Sequence, residues 1–105
     1  MKYGLPEDII KKIKAVFASF EEVEQVIIYG SRAKGNYKPA SDIDLTLKGS
    51  GLTTAILNKI SWELDDLLLP YTFDLSIYHS ITQADLLDHI QRTGEEFYTR
   101  QQIPP

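Results

Sequence analysis

Three aspartates set what this sequence can do chemically. Asp42 and Asp44 stand two residues apart in SDIDLTL, and Asp74 stands in FDLSIY. Side chains two apart on an extended segment share one face. Two unit charges ~4 Å apart cost about 4 kcal/mol at an effective dielectric of ~20, so clustered aspartates require something to offset them. A hard divalent cation does this directly, because Mg²⁺ prefers carboxylate, water and phosphate oxygens. Zinc has no ligand set here. The chain has no cysteine, and His79 and His89 lack close metal-ligand spacing. Asp42 and Asp44 can share a metal pair, while Asp74, from a neighbouring strand, can bind the second metal or take a proton from an attacking hydroxyl.

Upstream, Gly30-Ser31 closes the apolar run VIIY. Glycine lets the backbone come close to a phosphate. Exposed N–H groups at such a turn, with the Ser31 hydroxyl, form an anion site. No acidic residue falls between Gln25 and Ser41, yet Arg32, Lys34 and Lys38 do; any of them could neutralise a triphosphate further. Ser41 either orients Asp42 or caps a turn. Tyr37 either stacks on a base or is an exposed loop aromatic. Trp62 reads as helix packing, with a partner interface as the alternative, and His79 and His89 read as structural or surface residues.

Positioning these groups takes a sheet with its helices on one side. Ile9, Ile10, Ile13, Phe17 and Phe20 recur at helical spacing, which predicts an amphipathic helix over roughly residues 6–20 with Pro6 in its first turn. Residues 23–29 read as a buried strand stopped by Gly30. Residues 31–40 read as a turn or short helix followed by a loop. Residues 42–47 and 73–78 alternate as half-buried strands, and Leu52, Ile56, Ile60, Leu64 and Leu67 mark a helix between them. Thr82 with Asp85 resembles a capping box for a last helix, with Gly94 at its C-terminus and QQIPP as a frayed tail. The expected order is α-β-β-α-β-α. Ile43, Leu45, Leu47, Phe73, Leu75 and Ile77 then face the helices. Asp42, Asp44 and Asp74 face the other way, together only if the two strands are neighbours, which periodicity cannot show.

Composition narrows the class. A chain of 105 residues fits a single domain spanning residues 1–105. A net charge of −4 argues against stable nucleic-acid binding. No run reaches the ~18 apolar residues that cross a bilayer, and the N-terminus lacks the apolar core of a signal peptide. The expectation is a cytoplasmic protein.

The segment YGSRAKGNYKPASDIDLTL, with FDLSIY downstream, resembles the DNA polymerase β-type nucleotidyltransferase superfamily, and its minimal nucleotidyltransferase branch in particular. The pattern there is an apolar strand, Gly-Ser, about ten residues, Asp-apolar-Asp-apolar, and a third Asp in a later strand. Here those places are taken by Gly30-Ser31, Asp42-Ile43-Asp44-Leu45 and Asp74. The resemblance implies an α/β fold of the α+β kind, a mixed sheet with helices on one face. It implies two Mg²⁺ ions at Asp42 and Asp44, with Asp74 near the acceptor and ATP as nucleotide. It implies transfer of a nucleoside monophosphate to a hydroxyl with release of pyrophosphate. It implies association with a HEPN-domain protein, often as antitoxin to a HEPN toxin, and for some members adenylylation of a tyrosine on that toxin. Neutralising such a partner by contact alone, or transfer to RNA or a small molecule, are the alternatives. Larger members carry a second domain for base and acceptor, for which this chain has no room, so a homo- or hetero-oligomer would have to complete the site.

Overall fold

Pro6, with φ −59°, is the N-cap of α1 (Glu7–Ala18) in the computed structural model, which describes residues 1–100. The expected frayed tail, 101–105, lies outside the described residues. α1 buries Ile10, Ile13, Val16 and Phe17 on one stripe. The chain continues as β1 (Gln25–Tyr29), a short helix α2 (Ser31–Lys34), β2 (Ile43–Lys48), α3 (Thr54–Asp65) and β3 (Phe73–Ile77). A 3-10 turn at Tyr78–Ser80, α4 (Ala84–Thr93) and β4 (Glu95–Thr99) complete it. Among the described residues no helix is long and apolar enough to cross a membrane.

The sheet is mixed, in the order β3-β2-β1-β4. β1 runs antiparallel to β2 and β4, while β2 and β3 are parallel and joined through α3. Thr53 starts α3 by accepting the Ile56 N–H at 3.2 Å. Val26, Ile28, Ile43, Leu45 and Leu47 are fully buried on the face that meets α1 and α3, together with Ile13, Phe17, Ile60 and Leu64. Each such side chain contributes about 1.5–3 kcal/mol.

The sequence expectation departs from the structure from Thr82 onward. Gln83, not Thr82, caps α4, and no side chain bonds the cap, so the expected capping box is absent. Gly94 does end the helix, but with φ −67°. Its reason is space: a Cβ there would overlap the Ile90 carbonyl and press on Ile27. β4 was not anticipated. It pairs with β1 through a register shift that leaves Phe97 without a partner, Val26 opposing Tyr98 and Ile27 opposing Glu96. A bulge of this kind breaks strict alternation, and Phe97 and Tyr98 both pack on Phe17, at centroid distances of 6.4 and 6.2 Å. Arg100 follows β4 and donates to the carbonyls of Phe20 (2.6 Å), Val23 (3.0 Å) and Ala18 (3.2 Å). The end of α1 has no basic residue of its own, and Arg100 supplies the cation its carbonyls favour.

Candidate active site

Register brings the carboxylates together. β2 and β3 are hydrogen-bonded neighbours, with Asp44 directly opposite Asp74. Asp42 lies just before β2, two residues from Asp44 on the same alternation. Asp42 and Asp74 are exposed and Asp44 is half-buried. Burial, then Asp74, then Asp42 raise the Asp44 carboxyl above its ordinary range, with His89 pulling the other way. Strain of that kind, on one carboxylate of a group, marks functional sites more often than bystanders.

Tyr29 and Gly30 form the wall beside Asp44. Tyr29 pairs with Asp44 across β1 and β2. Burial first, then Asp74 and Asp44, push its hydroxyl above the usual phenol range. Gly30 has φ 77° and ψ −155°, a region open essentially to glycine alone. A Cβ on Gly30 would overlap Asp44 Oδ2. The glycine expected as a phosphate cradle therefore also makes room for the metal-ligand candidate. Ser31, half-buried, begins α2 directly after it.

Arg32 does not point at the site. Its side chain is 2% exposed. Nε and Nη2 donate to the Ser41 carbonyl at 3.1 and 2.9 Å, Nη2 also to Pro39 at 3.3 Å, and Nη1 to Tyr3 at 3.0 Å. The guanidinium sits 5.4 Å from the Tyr37 ring and 5.1 Å from the Tyr71 ring. A cation with its donors spent on backbone carbonyls and its faces on aromatic rings is a clamp on the loop rather than a triphosphate ligand, which corrects the sequence expectation. Tyr37 is used too, because its ring lies against Gly4. Ser41 Oγ accepts the Lys38 N–H at 2.8 Å while its carbonyl takes Arg32, so Ser41 shapes the turn before Asp42. Lys34 and Lys38 are exposed and, among the described residues, have no carboxylate partner.

The sequence reading missed His89. From α4 it meets the Tyr29 ring edge-on at 6.3 Å, on the carboxylate face. An isolated histidine on a helix gave no signal of that placement. Trp62, expected to pack, is 66% exposed.

The donor set is all hard oxygen, and it suits Mg²⁺. Among the described residues no group of three or more His, Cys, Asp or Glu side chains is placed to hold a metal ion. Mg²⁺ does not need such a group, because it binds through one or two carboxylates and keeps water and substrate phosphate for the rest of its shell. Behind the carboxylates on the same face, the buried hydroxyls of Thr46 and Ser76 stand opposite each other without hydrogen-bond partners.

Residues 11–103 match the sequence profile of the family described as Polymerase beta, Nucleotidyltransferase. A chain of Methanocaldococcus jannaschii named as a candidate protein adenylyltransferase is 27% identical over 99 residues, which is 85% of this chain and 95% of that one. A chain from the crystal structure of a toxin–antitoxin complex with AMP-PNP superimposes at a TM-score of 0.69 and 20% identity, over 92% of this chain and 76% of its own. A chain from the structure of a tri-AMPylated Shewanella oneidensis HEPN toxin with its MNT antitoxin does so at 0.66 and 16%, over 90% and 72%. At such identities the structural likenesses establish the fold.

Proposed function

Because this chain belongs to the polymerase beta nucleotidyltransferase family, we propose that it transfers AMP from ATP to a tyrosine hydroxyl of a HEPN-domain toxin, in the cytoplasm, as the antitoxin of the pair. The observation that carries the reading is the Asp44–Asp74 pairing on adjacent strands, with Gly30 against Asp44. The names of the M. jannaschii relative and of the two toxin–antitoxin structures support the adenylyl group and the acceptor.

In this reading Gly30 and Ser31 receive the phosphates through backbone N–H groups and a hydroxyl. Lys34 and Lys38, both exposed, add positive charge from the same loop. Asp74 accepts the proton of the attacking hydroxyl. The hydroxyl oxygen bonds to the α-phosphorus, the bond to the β-phosphate oxygen breaks, and pyrophosphate leaves. Two Mg²⁺ ions, held by Asp42 and Asp44 with Asp74 on one of them, would neutralise the triphosphate and align the reacting oxygens.

Radiolabelled ATP, Mg²⁺ and the cognate HEPN protein test this. Wild type labels the partner, and the variant carrying Asp42→Ala and Asp44→Ala does not. Equal labelling by the two proteins, or none by either, sinks the reading. Full suppression of toxicity by the double variant shows instead that contact alone neutralises the partner.

A further inference from the structure

The sheet ends in two edges, β3 and β4, and only one is guarded. β4 has the bulge at Phe97 and opens on Glu95 and Glu96; bulges and charges deter pairing with another chain. β3 reads Phe73-Asp74-Leu75-Ser76-Ile77, with an unbroken register to β2 and no lysine or proline. The Ile43 N–H donates to the Thr72 carbonyl at 2.9 Å. Alternation then turns the backbone of Asp74 and Ser76 towards β2 and that of Phe73, Leu75 and Ile77 outward. Among the described residues no backbone hydrogen bond reaches the outward groups of Phe73 and Leu75, while the Ile77 carbonyl caps the 3-10 turn that follows. The apolar layer runs out at the same place: Ile43, Leu45 and Leu47 are fully buried, whereas their opposites Phe73 and Leu75 are only half-buried.

We propose that the free edge of β3 takes up an extended, hydroxyl-bearing segment of the acceptor polypeptide as an added strand. The chemistry at the docked segment rests on the adenylyl-transfer reading; the docking itself does not. Main-chain hydrogen bonds to Phe73, Leu75 and the Ile77 N–H supply affinity, as in other strand-addition complexes. Alternate side chains of the segment cover Phe73 and Leu75. The others share the face of Asp74, one strand spacing away, about 4.8 Å. A hydroxyl among them stands beside Asp74 and, across it, Asp44. The segment favoured is therefore apolar on one face and carries its hydroxyl on the other. Its register presents the nucleophile.

The probe is a synthetic peptide alternating valine and threonine around one tyrosine, added to the full chain. Amide hydrogen exchange at Phe73, Leu75 and Ile77 slows with peptide, while Glu95–Thr99 stay as they were. Methylating peptide amides on the pairing side weakens this protection about two- to tenfold per bond lost; methylating the alternate amides leaves it unchanged. No protection, protection at β4 instead, or equal loss for both methylation sets overturns the proposal. So does protection of β3 that grows with protein concentration in the absence of peptide, since a second copy then occupies the edge. Labelled ATP in the same samples separates the two ideas. Protection without transfer leaves the edge standing and counts against adenylylation; transfer without protection does the reverse.

Discussion

Replacing Gly30 with alanine tests the link between backbone and carboxylate. The residue holds φ 77° and ψ −155°, where a non-glycine residue costs about 1–3 kcal/mol. The added Cβ also overlaps Asp44 Oδ2, and driving that side chain off its rotamer costs a further ~0.5–1.5 kcal/mol. The sum, about 2–4 kcal/mol, is a fraction of a usual domain stability, so the variant still folds. At ~4–8 °C per kcal/mol for a domain of this size its Tm falls by at least ~8 °C. Transfer falls as well, because the Asp44 carboxylate is displaced. Adding Asp44→Ala removes the overlap but not the backbone strain, since Asp44 Cβ is 3.7 Å from the new methyl. The double variant is then less destabilised than the sum of the singles, by about 1 kcal/mol. Thermal unfolding of the four proteins without Mg²⁺, with transfer rates beside it, decides the matter. A Gly30→Ala protein within ~2 °C of wild type and fully active, or strictly additive singles, refutes the reasoning.

Two further outcomes concern the loop clamp and the half-buried carboxylate. Arg32→Lys exchanges a planar fork for a point charge and leaves carbonyls of Tyr3, Pro39 and Ser41 without donors; stability in urea drops by about 2–4 kcal/mol and KM for ATP rises, whereas an unchanged KM would show that the clamp does not position the loop. The raised Asp44 pKa, caused by burial and then by Asp74 and Asp42, means that the folded chain holds its proton more tightly than the unfolded one. Without Mg²⁺, stability therefore falls as pH climbs from about 4 through the folded value. Asp44→Asn abolishes that loss, so it is inactive yet more stable than wild type at neutral pH, with the gap closing in acid; parallel pH profiles for the two proteins would contradict this.

Alternation in DIDLTL and FDLSI was enough to put Asp42, Asp44 and Asp74 on the side away from the apolar residues, because period two leaves a side chain no other choice. That the strands adjoin came only with the register Asp44 to Asp74. Gly30-Ser31 was legible as a strand-ending turn, but the reason for glycine was not, since it depends on the Asp44 carboxylate across the strand. Arg32 misled for a related cause. Sequence shows a cation in a basic loop and cannot show three backbone carbonyls converging on it. β4 hid behind two glutamates and a bulge that spoils its alternation, and His89 behind a helix whose docking on Tyr29 no local pattern encodes.

Arg32 also sets a clock. Its partners are Tyr3, 29 residues upstream, and the Tyr71 ring far downstream. During synthesis its hydrogen-bond partners, the carbonyls of Tyr3, Pro39 and Ser41, all leave the ribosome before Tyr71 does, so those bonds form first and the Tyr71 ring closes over the guanidinium later. Contacts of such long range form late. A chain trimmed past Tyr3 therefore loses one carbonyl of the clamp, and one cut short of Tyr71 loses a ring face, while the Pro39 and Ser41 carbonyls stay with Arg32 in both.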